Sequence, residues 1–273
     1  MSQMFEVLHQ VQQERLLLQS KSAPKTNSHN VEVLRRAEKD NELFGGDEFG
    51  RDRSIEIQSS FTNGLDQDGT NRIVQRLFLA PGIAAPKAVV FCNVEPNCAP
   101  NSICARVADL LSRQTRSSVC IVDAKVSRPS LHHYFATENR RGLVGAILES
   151  GPLVDFTRSL VPGLLQLMSA GVLSPGMEAS TLLTSARLRT RMAEMRQSYN
   201  YVLWDAPSPL AAPTISALTA FANGVVLIAE PGATSQQAAR EAKAAVEAVG
   251  SRVIGFILHR PEISLFNRSR NPY

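Results

Sequence analysis

Residues 88–123 read AVVFCNVEPNCAPNSICARVADLLSRQTRSSVCIVD. This stretch begins and ends with short, continuous apolar runs, at 88–92 and 119–122, and a helical pattern over 102–114 lies between them. Apolar runs without polar alternation are typical of strands that are covered on both faces of a parallel sheet. The stretch therefore predicts a strand, a crossover helix and a second strand parallel to the first.

The chain after residue 123 repeats this pattern. Further continuous apolar runs occur at 201–204, 224–229 and 253–258, and helical stretches occur at 187–197 and 235–249. Alternating strands and helices indicate an α/β domain in which a doubly wound, mostly parallel sheet carries helices on both faces. In such sheets the ligand crevice lies outside the carboxyl ends of the strands.

The overall composition is that of an ordinary soluble protein. The 273 residues include 29 Lys and Arg, 25 Asp and Glu, and 44% hydrophobic residues, which excludes collagen-like, disulfide-scaffold and wholly disordered chains. No apolar run approaches the roughly 18 residues of a spanning helix, and the first residues do not form a signal peptide, so we expect a cytoplasmic protein without a direct membrane span. The four cysteines form no C-x-x-C pair and are expected to be reduced. Because the basic residues form no stripe with interleaved aromatic residues, we expect no nucleic-acid partner.

Four segments of the chain differ in pattern. Residues 1–19 predict a short amphipathic helix, and residues 20–68 have the polar, non-periodic composition of a flexible linker. The folded α/β domain is expected at 69–262. Residues 263–273 are polar and form a C-terminal tail.

Two apolar strands are each followed directly by an aspartate. Asp123 ends the strand at 119–122, and Asp205 ends the strand at 201–204. Two carboxylates at the ligand edge of a parallel sheet are the groups that a Mg-nucleotide site uses to hold the metal and to order water. The alternative is that each aspartate caps the turn or helix after its strand. The sequence leaves both interpretations open.

Several short motifs follow the order that they have in one bacterial family. They are, in chain order, Asp123, Arg128-Pro129-Ser130-Leu131-His132, Gly142-Leu143, Ala170-Gly171, Leu182-Leu183, Ser185-Ala186-Arg187-Leu188, Asp205-Ala206-Pro207, Asn223-Gly224 and Thr234. In these motifs the chain resembles the bacterial tyrosine kinases of capsule and exopolysaccharide biosynthesis, which belong to the MinD/ParA-like deviant-Walker ATPases. The resemblance implies a P-loop NTPase-like fold and Mg-ATP as the cofactor of a working pocket. It also implies a membrane-anchored polysaccharide chain-length regulator, or another export-system protein, as the partner.

The phosphate-binding loop departs from the family pattern. Aligned with the family's Gly-x-Gly-Lys-Ser-Thr, Ala99 stands at the second glycine, Pro100 at the lysine and Ser102 at the threonine. A working loop uses glycines and backbone N–H groups to cradle the phosphates and a lysine to bridge them, whereas proline has no N–H. By the same resemblance, Lys125 stands at the second aspartate of the family's Asp-x-Asp, and His259 at the asparagine that recognises adenine. These five positions define a degenerate nucleotide pocket.

The departures predict a cytoplasmic regulatory or scaffold component of exopolysaccharide or capsule biosynthesis and export, kinase-like in fold, with lost or crippled ATP hydrolysis and no resident cofactor. Asp123 and Asp205 are then remnants of catalytic residues. One alternative is an active protein-tyrosine autokinase with a rewired ATP site, in which Lys125 supplies the missing cation and Ser102 and Asp205 hold Mg²⁺. A second alternative is a MinD/ParA-like positioning ATPase.

Two features bear on phosphorylation and assembly. Autokinases of the family carry clustered C-terminal tyrosines, and Tyr273 is the candidate phosphoacceptor here. The Glu-x-x-Arg-x-x-Arg motif that helps the family build rings of subunits is not matched before the first strand. Ile73, Val74 and Leu77 instead predict an apolar helix stripe through which the chain could form a homo-oligomer. By resemblance, we expect the protein to reach the inner face of the membrane through its partner.

Overall fold

An eight-stranded sheet organises the part of the chain that the structure describes. The computed structural model describes residues 55–58, 67–81, 85–96, 102–211 and 215–259. The strands are β1 (Ile55–Gln58), β2 (Ala88–Asn93), β3 (Val119–Asp123), β4 (Arg158–Val161), β5 (Leu165–Met168), β6 (Tyr201–Ala206), β7 (Gly224–Ala229) and β8 (Val253–Leu258). The helices are α1 (Gln67–Phe78), α2 (Ile103–Thr115), α3 (Leu131–Tyr134), α4 (Leu143–Leu148), α5 (Ala179–Leu183), α6 (Ala186–Ser198), α7 (Ile215–Thr219) and α8 (Gln236–Ala248), and a 3₁₀ turn covers Leu153–Phe156. Within these described ranges, no helix is both long and apolar enough to cross a bilayer.

The strand order confirms the predicted architecture. Across the sheet the order is β1-β8-β7-β2-β6-β3-β5-β4, and all neighbouring strands are parallel except β4 and β5. From β2 the chain moves to β3 on one side and later to β7 and β8 on the other side. This is a doubly wound, mostly parallel α/β sheet, and its topological switch point, where such sheets bind ligands, lies beside the carboxyl ends of β2 and β6.

Both faces of the central strands are buried under helices. Val90 and Cys92 of β2 belong to the apolar core shared with α4, α6 and α8, whereas Val89 and Phe91 belong to the core on the opposite face, shared with α1 and α2. All four residues are 0% exposed. Full burial of one such large side chain contributes about 1.5–3 kcal/mol to stability. Because neither face meets water, the strand has no polar alternation, as the sequence pattern indicated.

The first helix turns its apolar stripe inward. Ile73 and Val74 are 0% exposed, Leu77 is 6% exposed, and all three pack in the core that α1 shares with α2. Arg72 and Gln75 lie on its exposed face. The expectation that this stripe forms a homo-oligomer is therefore wrong, because its residues are already used by the domain core. Oligomerisation through another surface stays a prediction.

One strand lies inside the segment that was predicted to be a flexible linker. β1 pairs in parallel with β8, and its sequence Ile55-Glu56-Ile57-Gln58 alternates apolar and polar residues. Four residues are too few to stand out from the polar composition around them. α1 also begins at Gln67, ahead of the expected domain start at residue 69. The other domain boundaries stay predictions.

Candidate functional site

The ends of β3 and β6 bring two aspartates side by side. The two strands are parallel neighbours, and Asp123 and Asp205 are partners in their register. Asp123 is 0% exposed and Asp205 is 1% exposed. The sheet therefore brings together the two carboxylates that the sequence singled out. They lie at the carboxyl ends of β3 and β6, beside the switch point.

Asp123 holds the loop that leads from β3 into α3. Its Oδ1 accepts a hydrogen bond from the backbone N of Lys125 at 3.1 Å, and its Oδ2 accepts from the backbone N of Ser130 at 2.8 Å and of Leu131 at 3.0 Å. Burial raises the pKa of Asp123, and these three N–H groups only partly counteract it. Both carboxylate oxygens are thus engaged by the main chain, which is the capping arrangement that the sequence left as an alternative.

Lys125 forms a buried ion pair with Asp205. Its Nζ lies 2.7 Å from Oδ1 of Asp205, and the two side chains are 15% and 1% exposed. Burial by itself would lower the pKa of Lys125, but the charge of Asp205 and the hydrogen bond to it raise that pKa above its usual value. Burial raises the pKa of Asp205 to about 6, although the charge of Lys125 acts in the opposite direction. At neutral pH both members of the pair are therefore charged.

The second carboxylate oxygen of Asp205 has no partner in the described part of the chain. Oδ2 is buried and accepts no hydrogen bond from any described residue. A buried carboxylate oxygen that lacks a donor costs free energy. Oδ2 is therefore where a water or a ligand would meet this aspartate.

Two buried thiols flank the ion pair, a feature that sequence reasoning missed. Cys92 of β2 and Cys104 of α2 are both 0% exposed, and the charges of Lys125 and Asp205 act on both of them. Burial raises the pKa of both thiols far above the usual value. Protonated thiols are poor nucleophiles, so both side chains act here as small buried apolar groups.

Two other predicted pocket residues lie at the ends of different elements. Ser102 is the N-cap of α2, but its side chain forms no capping hydrogen bond. His259 directly follows β8, is 7% exposed, and donates its backbone N–H to the carbonyl oxygen of Ala229 at 2.9 Å, which extends the pairing of β7 with β8. Because β7 and β2 lie between β8 and β6 in the sheet, His259 is not a neighbour of Asp205.

The remaining predicted site residues lie outside the described residues. These are Ala99 and Pro100 of the phosphate loop and the candidate phosphoacceptor Tyr273. Their roles stay predictions from the sequence.

The described residues do not fit the Mg²⁺ that the family resemblance implies. Within the described ranges, no group of three or more His, Cys, Asp or Glu side chains could hold a metal ion. Mg²⁺ prefers oxygen ligands at about 2.0–2.1 Å in octahedral geometry. Both oxygens of Asp123 are already engaged, and the ammonium of Lys125 takes the Oδ1 of Asp205 that such an ion would use.

Comparison with known sequences identifies relatives, although no protein-family model matches the chain. The chain is 25% identical over 178 residues to the tyrosine-protein kinase YwqD of Bacillus subtilis (strain 168), and the match covers 65% of this chain and 74% of YwqD. It is 21% identical over 183 residues to the succinoglycan biosynthesis transport protein ExoP of Rhizobium meliloti (strain 1021), covering 65% of this chain but 23% of ExoP. The chain thus spans most of YwqD and less than a quarter of ExoP.

Solved structures share the fold. The chimerical protein CapA2B2 superposes with a TM-score of 0.66 at 22% identity, covering 81% of this chain and 97% of that protein. A ParA family ATPase from Chlorobium tepidum TLS superposes with a TM-score of 0.50 at 17% identity, covering 66% of this chain and 76% of the ATPase. These likenesses confirm the P-loop NTPase-like fold.

Proposed function

This chain is a homologue of the bacterial tyrosine kinases, and we propose that it is a regulatory or scaffold component of exopolysaccharide or capsule biosynthesis and export in which ATP hydrolysis is lost or crippled. The role in polysaccharide biosynthesis and export is proposed because one relative carries the name of a succinoglycan biosynthesis transport protein. The loss of hydrolysis is proposed from the chemistry at the ligand edge of the sheet.

The ion pair between Lys125 and Asp205 is the observation that carries this proposal. Phosphoryl transfer depends on metal ions and cationic side chains that neutralise the charge of the phosphates. Here the ammonium of Lys125 is already neutralised by a carboxylate 2.7 Å away. A nucleotide would therefore gain no free positive charge from Lys125, which could bind a phosphate only after leaving Asp205.

The phosphate loop supports the same proposal from the sequence. Pro100 replaces the bridging lysine and Ala99 replaces a glycine of the family pattern. Proline offers no N–H to a phosphate oxygen, and a Cβ at the glycine position hinders the close approach of backbone and phosphate. Both departures support the proposal that ATP hydrolysis is lost or crippled.

The proposed partner is a membrane-anchored chain-length regulator or another protein of the export system. Binding to it would hold the protein at the cytoplasmic face of the membrane. We expect the predicted amphipathic helix at residues 1–19 to dock on this partner. Its polar face is rich in Gln rather than in Lys and Arg, which favours binding to a protein over binding to a lipid surface.

A nucleotide-binding experiment tests the biochemical part of the proposal. The full-length protein is titrated with Mg-ATP in a calorimeter and incubated with radiolabelled ATP, with YwqD treated identically as the positive control. We expect no heat of binding up to about 1 mM, the weak end of useful affinity, and no label on the protein. Label on Tyr273 would refute the proposal and establish an active autokinase.

A complementation experiment tests the cellular part. A strain that lacks the gene receives the wild type, the double variant Lys125→Met/Asp205→Asn, or a variant without residues 1–19. We expect the double variant to restore exopolysaccharide yield and the truncated chain to fail, with protein levels matched by immunoblot. The reverse pattern would contradict a scaffold role and favour chemistry at the ends of the strands.

A further inference from the structure

We propose that the ammonium of Lys125 permanently replaces a divalent cation at the ends of β3 and β6, and that removing this ammonium converts the site into one that binds divalent metal ions. The inference goes beyond the proposed function, because it concerns the ion that the site accepts and requires no partner. It rests on the arrangement of two carboxylates around one lysine.

The first step of the argument is that one residue contacts both carboxylates. The backbone N of Lys125 donates to Oδ1 of Asp123 at 3.1 Å, while its Nζ lies 2.7 Å from Oδ1 of Asp205. The loop is held in place because the backbone N of Ala124 donates to the carbonyl oxygen of Asp205 at 2.8 Å. Lys125 therefore lies where the two strands end. The hydrogen bonds of the loop backbone hold its Cα in position, so that the side chain starts from a defined point between the two carboxylates.

The second step is that this position requires a cation. Asp123 and Asp205 are register partners on adjacent strands and are almost fully buried, so two negative charges would repel each other in a site with little water. Proteins neutralise such carboxylates with a metal ion, with a proton or with a basic side chain. The side chain of Lys125 is only 15% exposed and supplies the positive charge from within the fold.

The third step is that the ammonium and a metal ion exclude each other. An ammonium and Mg²⁺ bind the same carboxylate lone pairs, at about 2.7–2.9 Å and about 2.0–2.1 Å respectively, and repel each other. In the wild type, a metal ion would have to displace Lys125 from Asp205 and leave a mostly buried ammonium beside it. Once the ammonium is removed, Oδ1 of Asp205 is free in addition to Oδ2, which accepts no hydrogen bond from the described residues.

Binding of Mn²⁺ to the full chain tests the inference, measured by the electron paramagnetic resonance of free Mn²⁺ and by calorimetry. We expect the wild type to show no saturable binding below about 1 mM, and Lys125→Ala to bind at least tenfold more tightly. Lys87→Ala is the matched control, because Lys87 is exposed and its removal changes the net charge equally. The double variant Lys125→Ala/Asp205→Asn should lose the gain.

Circular dichroism and thermal unfolding establish that each variant is folded. Where Lys125→Ala does not fold, Lys125→Met takes its place, because it removes the charge and the donor and keeps an unbranched apolar stem. Saturable Mn²⁺ binding by the wild type, or a gain in Lys125→Ala that survives Asp205→Asn, would overturn the inference. Failure of the inference stays distinguishable from failure of the proposed function, because the proposed function is tested separately by the incorporation of label from ATP.

Discussion

The Lys125–Asp205 pair should appear as a large coupling free energy in unfolding experiments. Lys125→Met keeps an unbranched apolar stem without the charge, and Asp205→Asn keeps the shape of the carboxylate. With an effective dielectric constant of about 20, Coulomb's law gives an attraction of about 6 kcal/mol at the observed 2.7 Å. Desolvation offsets part of this, and removing one partner of a buried pair costs about 3–5 kcal/mol. We expect each single variant to lose that much stability and the double variant to lose far less than their sum.

The assay is urea unfolding at pH 7, followed by circular dichroism and by the fluorescence of Trp204, which is 1% exposed and precedes Asp205. The control is the same double-mutant cycle on the exposed pair Arg113–Asp109, whose side chains are 64% and 36% exposed. That cycle should give a coupling of about 0.3–0.5 kcal/mol. A coupling for Lys125–Asp205 no larger than this control would refute the reasoning.

Three further predictions concern the site and the loops around it. Asp123→Ala should lower the free energy of unfolding by about 3 kcal/mol or more, since it removes the acceptors of three backbone N–H groups, those of Lys125, of the α3 N-cap Ser130 and of Leu131 in α3; urea unfolding measures the loss. The pKa of Asp205 is about 6 in the fold, above its ordinary 3.8, so protonation of Asp205 favours the folded state. This contribution to stability is full below about pH 4 and is lost as the pH rises through 6, by about 3 kcal/mol in all. Urea unfolding between pH 4 and 7 should show this decline in the wild type and not in Asp205→Asn; equal slopes would contradict the assigned pKa. Gly142→Ala should lower the melting temperature, because its Cβ would lie 2.0 Å from the carbonyl oxygen of Ser169, and overpacking of this kind typically costs about 1–3 kcal/mol. Gly163→Ala is the control, since a Cβ there has open space and only its φ of +72° opposes the change. Because a Cβ at Gly142 would meet the backbone of Ser169, its loss should exceed that of the control, and equal losses would contradict the steric argument.

The central strands could be predicted from the sequence because both of their faces are covered. The apolar runs at 88–92, 119–122, 201–204, 224–229 and 253–258 appear as β2, β3, β6, β7 and β8. The three strands that the sequence did not predict have four residues each, and they are β1 and β4 at the two edges of the sheet and β5 beside β4. A run of four residues is too short for its hydrophobic pattern to be told from that of a loop.

The candidate site could be predicted in its residues but not in its contacts. The spacing predicted an aspartate at the end of each of two strands and a lysine two positions after Asp123. It left open whether Asp123 caps the turn that follows its strand. The structure shows that it does, because its carboxylate accepts three hydrogen bonds from backbone N–H groups of that turn. It assigned no role to the thiols of Cys92 and Cys104 beside the ion pair, because nothing in their spacing relates them to Lys125.

The sequence by itself determined the α/β class, the order of the central strands and helices, the absence of the phosphate-loop glycines and lysine, and the resemblance to the polysaccharide tyrosine kinases. These are properties of local pattern and residue identity. Only the tertiary structure decided the direction in which the ammonium of Lys125 points, and therefore whether it is available to a phosphate. Lys125 and Asp205 are 80 residues apart in the chain, and they meet because the parallel pairing of β3 with β6 places Asp205 beside Asp123. Burial of that edge then makes the carboxylate the favourable partner for the ammonium, since an unpaired charge there would cost several kcal/mol.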